Sequence, residues 1–145
     1  MSILTILTYP DPILAQTCSD VTRFDESLQK LIDDMFETML ERNGVGLAAP
    51  QVGLLQNLFV VQFEDRRLIA INPKIISFSG KTIDEEGCLS CPEANVKLER
   101  ADKITLKCLN RKGKPITIKE KGFFSRIIQH ESDHLSGIVI LNKQG

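Results

Sequence analysis

Leu28, Leu31, Ile32, Met35, Phe36, Met39 and Leu40 recur at steps of three and four residues. That period is the turn of an α-helix, and it gathers these side chains on one face. Asp25 stands where an N-cap would, and Asn43-Gly44 where a helix stops. The spacing therefore predicts an amphipathic helix over residues 25–42 whose stripe is core. Further on, the pattern becomes strand-like. Runs 58–62 and 68–71 flank a Glu64-Asp65-Arg66 turn and read as a hairpin. More strands are expected over 75–78, 96–98, 104–109 and 115–118, with a turn at 111–114. Helical periodicity returns over 119–135 through Phe123, Phe124, Ile127, Ile128 and Leu135. A helix, a series of antiparallel strands and a second helix make an α+β pattern rather than alternating βαβ units. Antiparallel sheets packed around the C-terminal helix are expected.

No repeat or Pro/Gly/Ser linker interrupts the 145 residues, so a single domain over 1–145 is expected. At 42% apolar and 26% charged, the composition is that of a packed globular chain. Its net charge of -1 gives no reason to expect nucleic acid as a partner. Arg111, Lys112 and Lys114 around Gly113 read as a solvated hairpin turn. No apolar run is long enough for a membrane span. The first residues meet Pro10 and Pro12 without a basic lead, unlike a signal peptide. A cytoplasmic location with reduced thiols is the expectation. Cys18 and Cys108 then read as packing or surface thiols.

The two histidines lie four residues apart, in His130-Glu131-Ser132-Asp133-His134. On a helix they share one face, where two imidazoles can bind one ion, and Glu131 can reach a water on it. Phe123 and Ile127 extend that face and turn it toward the core. A catalytic site of this kind usually has a third ligand and an open position. Cys88 is the best candidate, in the Gly/Pro-bounded turn Glu86-Gly87-Cys88-Leu89-Ser90-Cys91-Pro92, because a thiolate suits a divalent transition metal. Cys91 leaves an alternative open, a closed structural site with two cysteines and two histidines. A third segment, Gly44-Val45-Gly46-Leu47-Ala48-Ala49-Pro50-Gln51, follows the first helix. Its glycines allow close backbone approach, and Gln51 can donate and accept hydrogen bonds.

Together these three segments resemble the peptide deformylase patterns GxGLAAxQ, EGCLS and QHExDH, in that order. Here they stand at 44–51, 86–90 and 129–134. The resemblance implies removal of the formyl group from the N-terminal formyl-methionine of new polypeptides. Cys88, His130 and His134 would hold one divalent ion, Fe2+ in the cell, with Zn2+ or Ni2+ in a purified sample. Water activated there would attack the formyl carbon. Glu131 would carry protons, while Gln51 and the Leu89 N–H would bind the formyl oxygen. Beside the motifs, Val45, Gly46, Phe123 and Ile127 are candidates for substrate contact, and 44–47 could pair with the peptide as an added strand. Glu86 and Arg100 are expected to support the site from behind or to be structural. Two positions depart from the family: Cys91 stands where an apolar residue is common, and Asn95 where some members carry arginine. Because the chain stops soon after the last motif, ribosome docking is not carried over.

Overall fold

Asp25 Oδ1 accepts the Leu28 amide at 3.1 Å, which satisfies one of the free donors at a helix start. From there α1 runs over Glu26–Glu41 in the computed structural model, which describes residues 2–143. Leu28, Ile32, Met35, Phe36 and Met39 are buried, each contributing about 1.5–3 kcal/mol of hydrophobic stabilisation. Leu40 was expected in the same stripe but is 43% exposed. Steps of four residues rotate about 40° around the axis, so the row 28, 32, 36, 40 has walked off the face by its end. Beyond the Arg42 cap, Asn43 takes a φ of 55° while the Gly44 amide returns to the Met39 carbonyl at 2.9 Å.

The strands are β1 (Gly46–Ala48), β2 (Leu58–Phe63), β3 (Arg66–Ser79), β4 (Thr82–Cys88), β5 (Cys91–Arg100), β6 (Lys103–Leu109) and β7 (Pro115–Lys121). They form an antiparallel five-stranded sheet, ordered β1-β2-β3-β6-β7, and a separate β4-β5 hairpin. Leu58, Phe59, Val60 and Val61 are all fully buried because both faces of the sheet are covered. Leu58, Val60 and Ile71 pack on α1. On the other face, Phe59, Val61, Ala70 and Leu106 pack on the C-terminal helix α2 (Gly122–Leu135). A third cluster of Leu14, Val96, Leu98, Val139 and Ile140 ties the hairpin to the chain's last turn. Among the described residues, no helix is long and apolar enough to cross a membrane.

Several expected boundaries move. The strands expected at 68–71 and 75–78 are one strand, β3, with register shifts between Ile71 and Lys74 and between Ile75 and Ser77. Pro73, which has no N–H, sits at the first shift. Asn72 there grips the Val21 backbone through both its carbonyl and its amide. The strand expected over 96–98 is the longer β5. β4 was not expected at all, because its residues are mostly polar and exposed and Ile83 is 68% exposed. The last helix was expected from residue 119, but 119–121 complete β7. Gly122 turns the corner at a φ of 65°, donating to the Asp102 carbonyl at 2.9 Å.

Candidate active site

His130 and His134 project from one face of α2 with ring centroids 5.1 Å apart. Opposite them, β4 ends at Cys88, which pairs with Cys91 across the Leu89-Ser90 turn. Cys88 Sγ lies 3.4 Å from His134 Nε2, and one donor atom from each of Cys88, His130 and His134 falls within 4.8 Å of the others. The Cys91 sulfur is not in this group; Cys91 is 3% exposed and packs in the cluster around Leu14. Three converging donors, not four, disfavour the closed two-cysteine, two-histidine alternative.

A charged network stands behind the donors. Glu86 Oε1 is 2.9 Å from His130 Nδ1. The same carboxylate accepts two bonds from Arg100 at 2.8 Å and one from Arg126 at 2.6 Å, and Arg100 also reaches Asp133 at 2.5 Å. Burial alone would raise the Glu86 carboxyl, but Arg100 and His130 hold it well below the usual range. This bond occupies Nδ1, so Nε2 is the ring atom that would meet an ion beside Cys88 and His134 once its proton is displaced. Burial opposes charge on His130 as well, but the Glu86 bond and the two nearby glutamates outweigh it and raise its pKa. Burial and the His130 charge push His134 down to about 3, so it is a neutral donor at pH 7. The Cys88 thiol is pushed up by its bond with Cys91 and by burial.

Glu131 is placed differently. Burial raises its carboxyl to about 7. Oε2 lies 4.0 Å from His130 Nε2, and Oε1 is buried with no hydrogen-bond partner among the described residues. Strand β1 passes directly over it: a Cβ on Gly46 would come within 2.5 Å of Glu131 Oε2. Gly44 is needed for a similar reason, since a Cβ there would meet Leu89 Cδ1 at 2.8 Å. Gln51 is aimed by the Ala48 amide, which donates to its Oε1 at 2.9 Å. That leaves Nε2 to reach Ser90 Oγ at 3.1 Å and Cys88 Sγ at 3.7 Å. The N-terminal segment clasps both loops: the Leu7 amide donates to the Gln51 carbonyl and the Tyr9 amide to the Ser90 carbonyl, each at 2.7 Å.

A cleft of about 390 Å³ opens above, lined by Val45, Gly46, Gln51, Leu89, Ile127 and Glu131 among others. Phe123, expected to turn toward the core, is 45% exposed at the cleft's rim, its ring tilted against that of Phe63 with centroids 4.8 Å apart. It begins the first turn of α2, before the helix goes under the sheet. Val45 is also at the rim, 36% exposed, and Ile127 is buried at 4%. Asn95, on the exposed edge of β5, bonds to Glu85. Two positioning residues escaped the sequence reading, Ser90 and Arg126. Arg126 had a signal: a lone base one turn before His130, among Phe124, Ile127 and Ile128.

The donor set fits one divalent ion. A half-buried thiol, a neutral imidazole and an imidazole oriented by a carboxylate converge beside a carboxylate oxygen without a partner among the described residues. This layout, at the floor of a partly apolar cleft, is the arrangement a metal-dependent hydrolase would use. A profile of the polypeptide deformylase family matches residues 3–144. The chain is 46% identical over 143 residues to peptide deformylase 1 of Clostridium acetobutylicum, covering 99% of this chain and 95% of that protein. It is 43% identical over 145 residues to peptide deformylase 1 of Bacillus subtilis, covering 99% and 91%. The crystal structure of peptide deformylase from Thermotoga maritima matches with a TM-score of 0.96 at 40% identity, covering 99% of this chain and 98% of that one. A class I type b peptide deformylase from Acinetobacter baumannii, solved with Met-ala-ser bound, matches at 0.93 with 35% identity over 97% of each chain. The chain belongs to the polypeptide deformylase family.

Proposed function

We propose that this chain hydrolyses the formyl group from the N-terminal formyl-methionine of newly made polypeptides in the cytoplasm. The observation that carries this reading is a three-donor set within 4.8 Å beside the unpartnered Glu131 carboxylate. The Met-ala-ser bound to the Acinetobacter relative supports it, since deformylation would leave such a sequence. Strand β1 is paired on one side only, by β2, so its other edge can receive the peptide as an added strand. Val45, Leu89, Phe123 and Ile127 then offer apolar contact to the methionine side chain.

A divalent ion held by Cys88, His130 and His134, Fe2+ in the cell and Zn2+ or Ni2+ in purified samples, would acidify water and polarise the formyl carbonyl. The Gln51 amide and the Leu89 N–H donate to the oxygen as it gains charge. Glu131 takes the proton of the attacking water and passes it to the departing amine nitrogen. Formate and a free amino terminus result. A carboxyl near 7 suits both halves of that task.

Protein loaded anaerobically with Fe2+ should release formate from a formyl-Met tripeptide and no acetate from the acetyl analogue. Loss of release in Glu131→Gln with the ion retained would assign the proton carrier. Absence of release from the wild type at full ion occupancy would overturn the reading.

A further inference from the structure

A net charge of -1 conceals a strong local excess. Residues 103–121, the β6-β7 hairpin, carry seven lysines and arginines against one acid, Glu120. Glu120 pairs with Arg66. The rest of the chain is correspondingly acidic.

The register gathers much of this charge on one face. Alternation along β6 buries Ile104, Leu106 and Cys108 and leaves Lys103, Thr105 and Lys107 on the other side. Lys103 lies opposite Lys121, Thr105 opposite Lys119, and Lys107 opposite both Thr117 and Lys74. Ser77 and Ser79 of β3 flank Thr105 and Lys103. The five lysines are exposed, and none is ion-paired among the described residues.

Protection of an exposed sheet edge explains lysines on the edge strand β7. It does not explain Lys107, where β6 is paired with β3 on one side and with β7 on the other; Lys74 lies beyond the stretch of β3 that pairs with β2. Lys103 against Lys121 and Lys74 against Lys107 are like charges directly opposed, which destabilises a sheet. A partner that neutralises them removes that repulsion. Lysines interleaved with serine and threonine hydroxyls match the contacts that proteins make to phosphates. The face has no aromatic anchor of the kind that dominates protein–protein contacts.

We propose that the β3-β6-β7 face docks the phosphate backbone of RNA, through Lys74, Lys103, Lys107, Lys119 and Lys121. Lys121 leads through Gly122 to Phe123, so the basic face ends at the rim of the cleft. The inference is independent of the deformylase reading, because none of these lysines touches the donor set.

The test is fluorescence anisotropy of a labelled, unstructured RNA of roughly 20 nucleotides, titrated with the full chain at about 50 to 200 mM KCl. Replacing the five lysines with glutamine should weaken binding at least about tenfold at the lower salt and flatten the salt slope by about 3. Lysine-to-arginine replacement at the same five positions should keep binding, and Lys81→Gln with Lys97→Gln should leave it unchanged. Turnover of a free formyl tripeptide should be the same in all variants, which also checks folding. No RNA binding by the wild type, equal binding by a folded glutamine variant, or equally tight binding to poly-glutamate would each overturn the proposal.

Discussion

Glu86 and Glu131 are both buried, at 6% and 4% exposure, and both lie beside His130. Their surroundings act in opposite directions. Two guanidinium groups and an imidazole saturate Glu86, which stays ionised and fixes the ring it holds. Glu131 faces the underside of a strand with one oxygen unpartnered, and burial lifts it to about 7. The same side chain is a fixed charge in one place and, under the proposed mechanism, the proton carrier in the other. Such divergence between neighbouring groups is a general sign of acid–base assignment.

The contrast can be broken from either side. The largest expected effect is on turnover. Glu131→Gln keeps the shape but not the proton and should lower kcat by about 10²–10⁴, with ion content unchanged by elemental analysis. Near-normal turnover would remove Glu131 from the reaction. Next, Glu86→Gln leaves Arg126 buried with a neutral partner and Arg100 with Asp133 alone, at a cost of about 3–5 kcal/mol in denaturant unfolding. It should also weaken ion affinity by about 10–100-fold. A variant of unchanged stability would show that the network is not holding the fold. Gly46→Ala pushes a methyl against Glu131 Oε2 and should lower turnover about 10²-fold, more than it lowers the melting temperature. Equal losses in both would mean that the glycine serves packing alone.

The smallest effect concerns a third buried carboxylate, Asp34, far from the site. Bonds from Lys30 and then from the Ser2 amide lower its pKa. A depressed folded pKa means stability that is present above the unfolded value and lost as pH falls through the folded one. Asp34→Asn should therefore melt below the wild type at neutral pH, and the gap should close as pH drops below the carboxylate range. A gap that persists in acid would point to lost packing instead.

How much of this was legible in the sequence depends on the kind of interaction. α1 announces itself because an apolar stripe and an Asp25 cap are local signals. His130 and His134 stand out as the chain's two histidines, one turn apart. The grip of Glu86 on His130 was not legible, because it joins residues 44 apart in sequence and no local pattern encodes it. β4 escaped for a related reason: it buries a carboxylate against arginines rather than an apolar row. Phe123 looked like core because periodicity cannot tell a buried face from the rim of a cleft.

The clasp formed by Leu7 and Tyr9 has a consequence for the order in which the site is completed. The loop bearing Gln51, the turn bearing Cys88 and the helix bearing both imidazoles come from separate stretches of chain. The two loops are fastened by backbone bonds from the N-terminal segment. None of these contacts is local, so during synthesis the clasp waits for the turn, and the turn's thiol waits for the helix. An ion held by Cys88, His130 and His134 would therefore have to wait for the helix, the last of these stretches to be synthesised.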